Sequence, residues 1–143
     1  MLTQTEADTL IIMRKRFVKP RPISFPPGTD DTYELVGDDP RERFLLDLWR
    51  GMLRLSKYKL QTRARKVIVL IRLDVGKAPH TNPDGQKIDG AHIHLYREGF
   101  EDRWAYPVDP GEFRNPSDAW TAIEDFCRFC HIEGLPPFQE VLM

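Results

Sequence analysis

From Thr32 onward the apolar residues recur at every second position, in short runs broken by turn-forming segments, and this period constrains the chain more than any other feature. Alternate side chains of a strand point to opposite faces, so a sustained period of two builds a sheet with one apolar face. The pattern predicts strands near 32–36, 42–49, 53–63, 66–75, 91–97 and 103–107. GDDP, the Arg50-Gly51 pair and REGFED separate them, and connections this short join antiparallel neighbours.

Helical signals bracket that region. Thr3 and Glu6 have the spacing of a capping box, and Ala7, Leu10, Ile11 and Phe17 follow at near-helical intervals, which predicts a helix from about 4 to 17. The four prolines of KPRPISFPPGTDD stop it and read as an extended connector or an edge strand. Pro116-Ser117-Asp118 then precede Ala119, Trp120, Ile123, Cys127 and Cys130, a helical stripe that ends near Gly134-Leu135-Pro136-Pro137. The expectation is an α+β fold in a single domain over residues 1–143, with an N-terminal and a C-terminal helix packed on an antiparallel sheet of about five or six strands.

Composition narrows the classes. Apolar residues at 41% and charged residues at 30%, with three Trp and eight Phe, are those of a chain that can bury a core. No run approaches eighteen apolar residues and no basic, apolar leader opens the chain, so the expectation is a cytoplasmic protein with no membrane partner. Residues 1–72 carry 15 Lys/Arg against 9 Asp/Glu, and residues 73–143 carry 6 against 13. The basic half contains a stretch from Arg50 to Leu73 with no acidic residue at all, a surface suited to phosphates or to a solvated sheet face.

The chemistry-bearing residues cluster. In HIHLY, strand alternation places His92, His94 and Tyr96 on one face and Ile93 and Leu95 on the core side. The preceding strand puts Arg72 and Asp74 on one face, and Pro79-His80 opens the sixteen-residue break from Gly76 to Ala91, the longest between predicted strands. If the two strands pair, these groups line one pocket. A histidine pair moves protons near neutrality, as cleavage of RNA through its 2′-hydroxyl requires, with Arg or Lys stabilising the phosphate. The same residues also suit a first shell for zinc or another transition metal, and spacing does not separate the two chemistries. In RLSKYKLQTRAR, Lys57, Lys59, Gln61, Arg63 and Arg65 share a face that would dock a phosphate backbone if it borders the histidines. CRFCH matches a haem-attachment pattern, but Cys127 and Cys130 lie on the apolar stripe and read as buried thiols. Asn82-Pro83-Asp84-Gly85 reads as turn chemistry.

Arg72-x-Asp74, Pro79-His80 and His92-x-His94 resemble the histidine-bearing core of the TumE-like toxins of bacterial toxin–antitoxin modules, over about 25 residues and with a longer loop between His80 and His92. The stretch LIRLDVGKAPHTNPDGQKIDGAHIHLYREGFEDRWAYP also resembles a family of uncharacterised phage and prophage proteins. The toxin resemblance implies an mRNA-cleaving protein neutralised by an antitoxin. The first expectation is therefore an RNA-cleaving toxin, metal-independent and without a cofactor. His92 and His94 are its acid–base pair, His80 assists, Arg63, Arg72, Lys57, Lys59 and Gln61 hold phosphate, and Asp74 and Tyr96 support. The alternatives are a non-enzymatic phage or mobile-element protein that binds and inhibits a host defence nuclease, as anti-CRISPR proteins do, and a metal-dependent hydrolase built on His80, His92 and His94.

Overall fold

A computed structural model describes residues 1–139. Its first element, α1 (Gln4–Ile12), starts at the capping box: the Thr3 hydroxyl accepts from the Glu6 N–H, and the Glu6 carboxylate accepts from the Thr3 N–H. The helix stops five residues earlier than the periodicity predicts. Lys15–Phe17 leaves it as a strand, β1, because there it pairs on both sides and packs Phe17 edge-on against Tyr33. Lys15 is buried, and its ammonium donates to the carbonyls of Ile11, Met13 and Cys130. Burial lowers its pKa to about 8, so it remains mainly charged at neutral pH and ties the end of α1 to that of the second helix.

The meander follows as β2 (Asp30–Gly37), β3 (Arg43–Arg50), β4 (Tyr58–Ala64) and β5 (Ile68–Val75), each antiparallel to the one before. β4 begins at Tyr58 and not near 53, since residues 51–57 close a turn in which Gly51 N–H bonds the Lys57 carbonyl and Lys57 N–H bonds that of Arg54. A bulge in the β4–β5 ladder at Thr62/Arg63 breaks strict alternation and lets both Leu70 and Ile71 enter the core. The connection after β5 carries a small hairpin of its own, β6 (His80–Thr81) and β7 (Lys87–Ile88). The chain then rejoins the sheet as β8 (His92–Leu95) and β9 (Ala105–Pro107), forms α2 (Ala119–Phe129), and adds β10 (Ile132–Glu133).

The result is α+β with two helices among the described residues, and the main sheet has eight strands in the order β10-β1-β2-β3-β4-β5-β8-β9, more than the five or six expected. The extra strands are the short β1 and β10, which periodicity does not detect because two or three residues are too few to show a period. All main-sheet pairs are antiparallel except β1 with β10. Leu48, Leu60, Leu73 and Ile93 line up across four strands on one face, where the buried sides of α1 and α2 meet them. Cys127 and Cys130 lie in this core as free thiols, and burial pushes Cys127 up to about 12. No described helix is long and apolar enough to cross a membrane.

Candidate functional site

The sheet's other face is polar, and two of its cross-strand rows build the site. One row runs Trp49, Lys59, Asp74, His92; the next runs Asp47, Gln61, Arg72, His94. The antiparallel register of β5 and β8 sets Asp74 opposite His92 and Arg72 opposite His94, so both imidazoles and the carboxylate meet by construction. α2 lies on the opposite face and leaves the histidines uncovered. The β6–β7 hairpin covers them instead: the His80 ring stacks on His92 with centroids 5.7 Å apart and meets His94 edge-on at 4.6 Å. Asn82 holds the hairpin down, its side chain donating to the Ala105 carbonyl and accepting from the Ala105 N–H. Beneath it His92 and His94 are 2% and 1% exposed, and Asp74 is 4% exposed.

Hydrogen bonding fixes the tautomers. His92 Nδ1 lies 2.9 Å from the Gly90 carbonyl and His94 Nδ1 lies 2.8 Å from that of Asp102. A carbonyl only accepts, so each Nδ1 carries a proton and each Nε2 turns inward, as a lone pair on a neutral ring or as an N–H on a protonated one. Both Nε2 atoms face the same atom, Asp74 Oδ2, at 3.4 Å from His92 and 3.1 Å from His94. Asp74 Oδ1 is buried without a hydrogen bond, with only the Lys77 ammonium near it at 3.5 Å. Burial alone would raise the Asp74 pKa, but the histidines, Arg72 and Lys77 outweigh it and hold the carboxyl well below the usual range. Asp74 in turn raises His92, against the opposing effect of burial. Asp74, His92 and His94 are the cluster among the described residues whose donor atoms, all within 4.8 Å of one another, suit a metal ion.

The remaining predicted residues divide. Arg72 is internal to the centre: Nη1 donates to Asp102 at 2.6 Å, Nη2 lies 3.1 Å from His94 Nε2, and Nε lies 3.3 Å from Asp74. Gln61 and Arg63 turn to Asp47, which accepts from Gln61 Nε2 at 2.7 Å and from Arg63 Nε and Nη2 at 2.6 and 2.9 Å. Lys57 and Lys59 border the histidines, in a cleft of about 520 Å³ also lined by Trp49, Lys77, Pro79 and His80. Tyr96 departs from the expectation. β8 ends at Leu95, and Tyr96 enters the core, its hydroxyl accepting from the Leu2 N–H and donating to the Leu2 carbonyl, away from the histidines.

Sequence reasoning passed over Trp49, Lys77, Asn82 and Asp102. Asn82 sits in an NPDG turn that explains itself without a tertiary role, and Asp102 lies in a turn with no local signal. Lys77 is three residues past Asp74 on the same connection, a spacing that carries a signal only once Asp74 is known to be buried.

No protein of curated function and no solved structure matches the chain. The sequence model of a family of unknown function (DUF6978) matches residues 2–132, and the chain belongs to that family; the match shows no TumE-like or other toxin family.

Proposed function

Within that family of unknown function, we propose that Asp74, His92 and His94 hold a divalent transition-metal ion, and that the protein is a metal-dependent hydrolase of phosphoesters that enter the lysine-lined cleft. One observation carries the reading: two imidazole Nε2 atoms and a carboxylate oxygen, a donor set that suits a transition metal, converge in one buried cluster beside the Arg72 guanidinium. Two of the three donor–donor separations, 3.1 and 3.4 Å, are close to the ligand–ligand edge of a tetrahedral site, about 3.3 Å for metal–ligand bonds of about 2.05 Å, and the third is within 4.8 Å. Carbonyl partners on both Nδ1 atoms are the outer support that metal-bound histidines use. Two imidazoles and a carboxylate suit zinc, iron or manganese.

The geometry favours the metal over metal-free acid–base cleavage, because the Nε2 atoms of buried His92 and His94 both turn to Asp74, while His92 and Asp74 also line the cleft through which a phosphate would reach an ion. His80 lines the cleft as well. Its Nε2 donates to the Arg103 carbonyl at 2.9 Å, which leaves Nδ1 free to take a proton beside the cleft. An ion held by Asp74, His92 and His94 would supply a water acidic near neutral pH as the nucleophile for ester hydrolysis. His80 would carry the proton released from that water to the departing alkoxide, and Lys57, Lys59 and Lys77 would stabilise the charge on the phosphoryl oxygens.

A second reading rests on Arg72. Its Nη2 already serves His94 Nε2, and with His92 protonated against Asp74 the centre becomes a closed ion network, as in a binding protein without catalysis. Metal analysis separates the two. The hydrolase reading expects one transition-metal ion per chain, lost in His92→Ala and His94→Ala, and cleavage of bis(p-nitrophenyl) phosphate that a chelator stops and zinc or manganese restores. Folded protein that takes up neither metal sinks it.

A further inference from the structure

Lysines and a tryptophan meet beside the centre, and what they leave unpaired identifies a ligand. The guanidinium groups on this face are spoken for, Arg63 by Asp47 and Arg72 by Asp102 and Asp74, while Arg65 sits in the β4–β5 turn and pairs with Glu42. Lys57 and Lys59 have no carboxylate partner among the described residues, and Lys77 has only the buried Asp74. Gly76, at φ +76°, brings these groups together. A Cβ there would lie 2.5 Å from the Ser56 carbonyl oxygen and 2.9 Å from Lys57 Cα, so only glycine lets the start of the Lys77 loop pack against the Lys57 turn.

Trp49 stands in the same cross-strand row as Lys59, Asp74 and His92, with Lys77 Nζ 6.0 Å from its ring centroid. Two interstrand spacings of about 4.8 Å set its backbone roughly 10 Å from that of Asp74. An aromatic face beside ammonium groups, of which Lys57 and Lys59 have no carboxylate partner among the described residues, is how proteins hold single-stranded nucleic acid: bases stack and phosphates pair. A duplex has no free base face to offer, and a peptide has no free strand to pair with, because β4 and β5 are hydrogen-bonded on both sides.

We propose that the cleft between Trp49 and His80 binds a single strand of nucleic acid, with a base on Trp49 and its phosphates on Lys57, Lys59 and Lys77, and so delivers a phosphodiester to the Asp74–His92–His94 centre. The cleavage of that strand rests on the hydrolase reading, but its binding does not.

Fluorescence anisotropy of labelled oligouridylate and oligothymidylate, in chelator so that metal plays no part, tests this. Wild type binds both with an affinity that falls as salt rises. Trp49→Ala weakens binding about 5- to 150-fold, the range for loss of one base stack. Lys57→Gln and Lys59→Gln each lower the steepness of the salt dependence by about 0.7 in log–log slope. Circular dichroism confirms that each variant is folded. Absence of binding, binding indifferent to Trp49, or equal competition by a duplex or by polyglutamate overturns the proposal and leaves the metal centre to be judged on its own titration.

Discussion

Asp47 and Asp74 stand on the same sheet face, one cross-strand row apart, and their surroundings are opposite. Each Asp47 oxygen is filled by donors: Thr32 and Arg63 on Oδ1, Gln61 and Arg63 on Oδ2. Asp74 faces two imidazole nitrogens with Arg72 Nε at 3.3 Å and Lys77 Nζ at 3.5 Å, yet its Oδ1 has no hydrogen bond. A saturated carboxylate holds a structure together, whereas a buried one with an unfilled oxygen beside two imidazoles has room for a further ligand. Residue type alone would rank the two as similar; their partners separate them.

The comparison breaks most directly by amide substitution. Asp74→Asn is expected to weaken zinc or manganese binding at least 100-fold by isothermal titration, and in chelator to lower stability as well, since Arg72, Lys77 and His92 lose the carboxylate they face. Asp47→Asn should leave metal affinity unchanged. Its charge-assisted bonds to Arg63 are part-buried and only partly screened, so a loss of about 2 kcal/mol in urea unfolding is expected. If metal uptake survives Asp74→Asn, the assignment of roles is wrong. Asn82→Ala removes both bonds to Ala105 and should cost about 1–2 kcal/mol, with faster hydrogen exchange at Ala105 and in the β6–β7 hairpin.

The pH dependence sharpens the contrast by a smaller amount. Both carboxylates are lowered in the fold, so each contributes stability that is present above an unfolded pKa of about 3.9 and is lost as pH falls towards its folded value. His92 is raised, and its contribution is present below an unfolded value of about 6.5 and is lost as pH rises through the folded one. In chelator, wild-type stability should therefore decline as pH rises above about 6.5. His92→Gln should abolish that decline, and Asp47→Asn should leave it in place, because Arg63 does not titrate there.

Much of the site was legible in HIHLY and IRLD, since alternation is a local property of an extended chain: His92 with His94 and Arg72 with Asp74 follow from backbone geometry once the strands exist. Tyr96 shows where that inference ends. Two residues past His94 it should share the face, yet β8 stops at Leu95 and the Tyr96 N–H bonds the carbonyl of Leu70, the residue skipped at the bulge, while its phenol meets the Leu2 main chain in the core. Gln61 and Arg63 show a second limit. Their alternation with Lys57 and Lys59 is regular, but Asp47, buried in the apolar run FLLDLW, faces them only through the β3–β4 register.

By itself the sequence determined the strand periodicity, the capped start of the first helix, the apolar stripe of the second and the convergence of two histidines on one strand face, because each depends on side-chain directions within a few residues. Tertiary structure decided that Lys15–Phe17 is strand and not helix, that α2 packs away from the histidines, and that the β6–β7 hairpin covers them. It also decided which cations remain free. Those outcomes turn on which distant backbones exchange hydrogen bonds and which polar groups are left to one another once water is excluded, and neither is a property of any short segment.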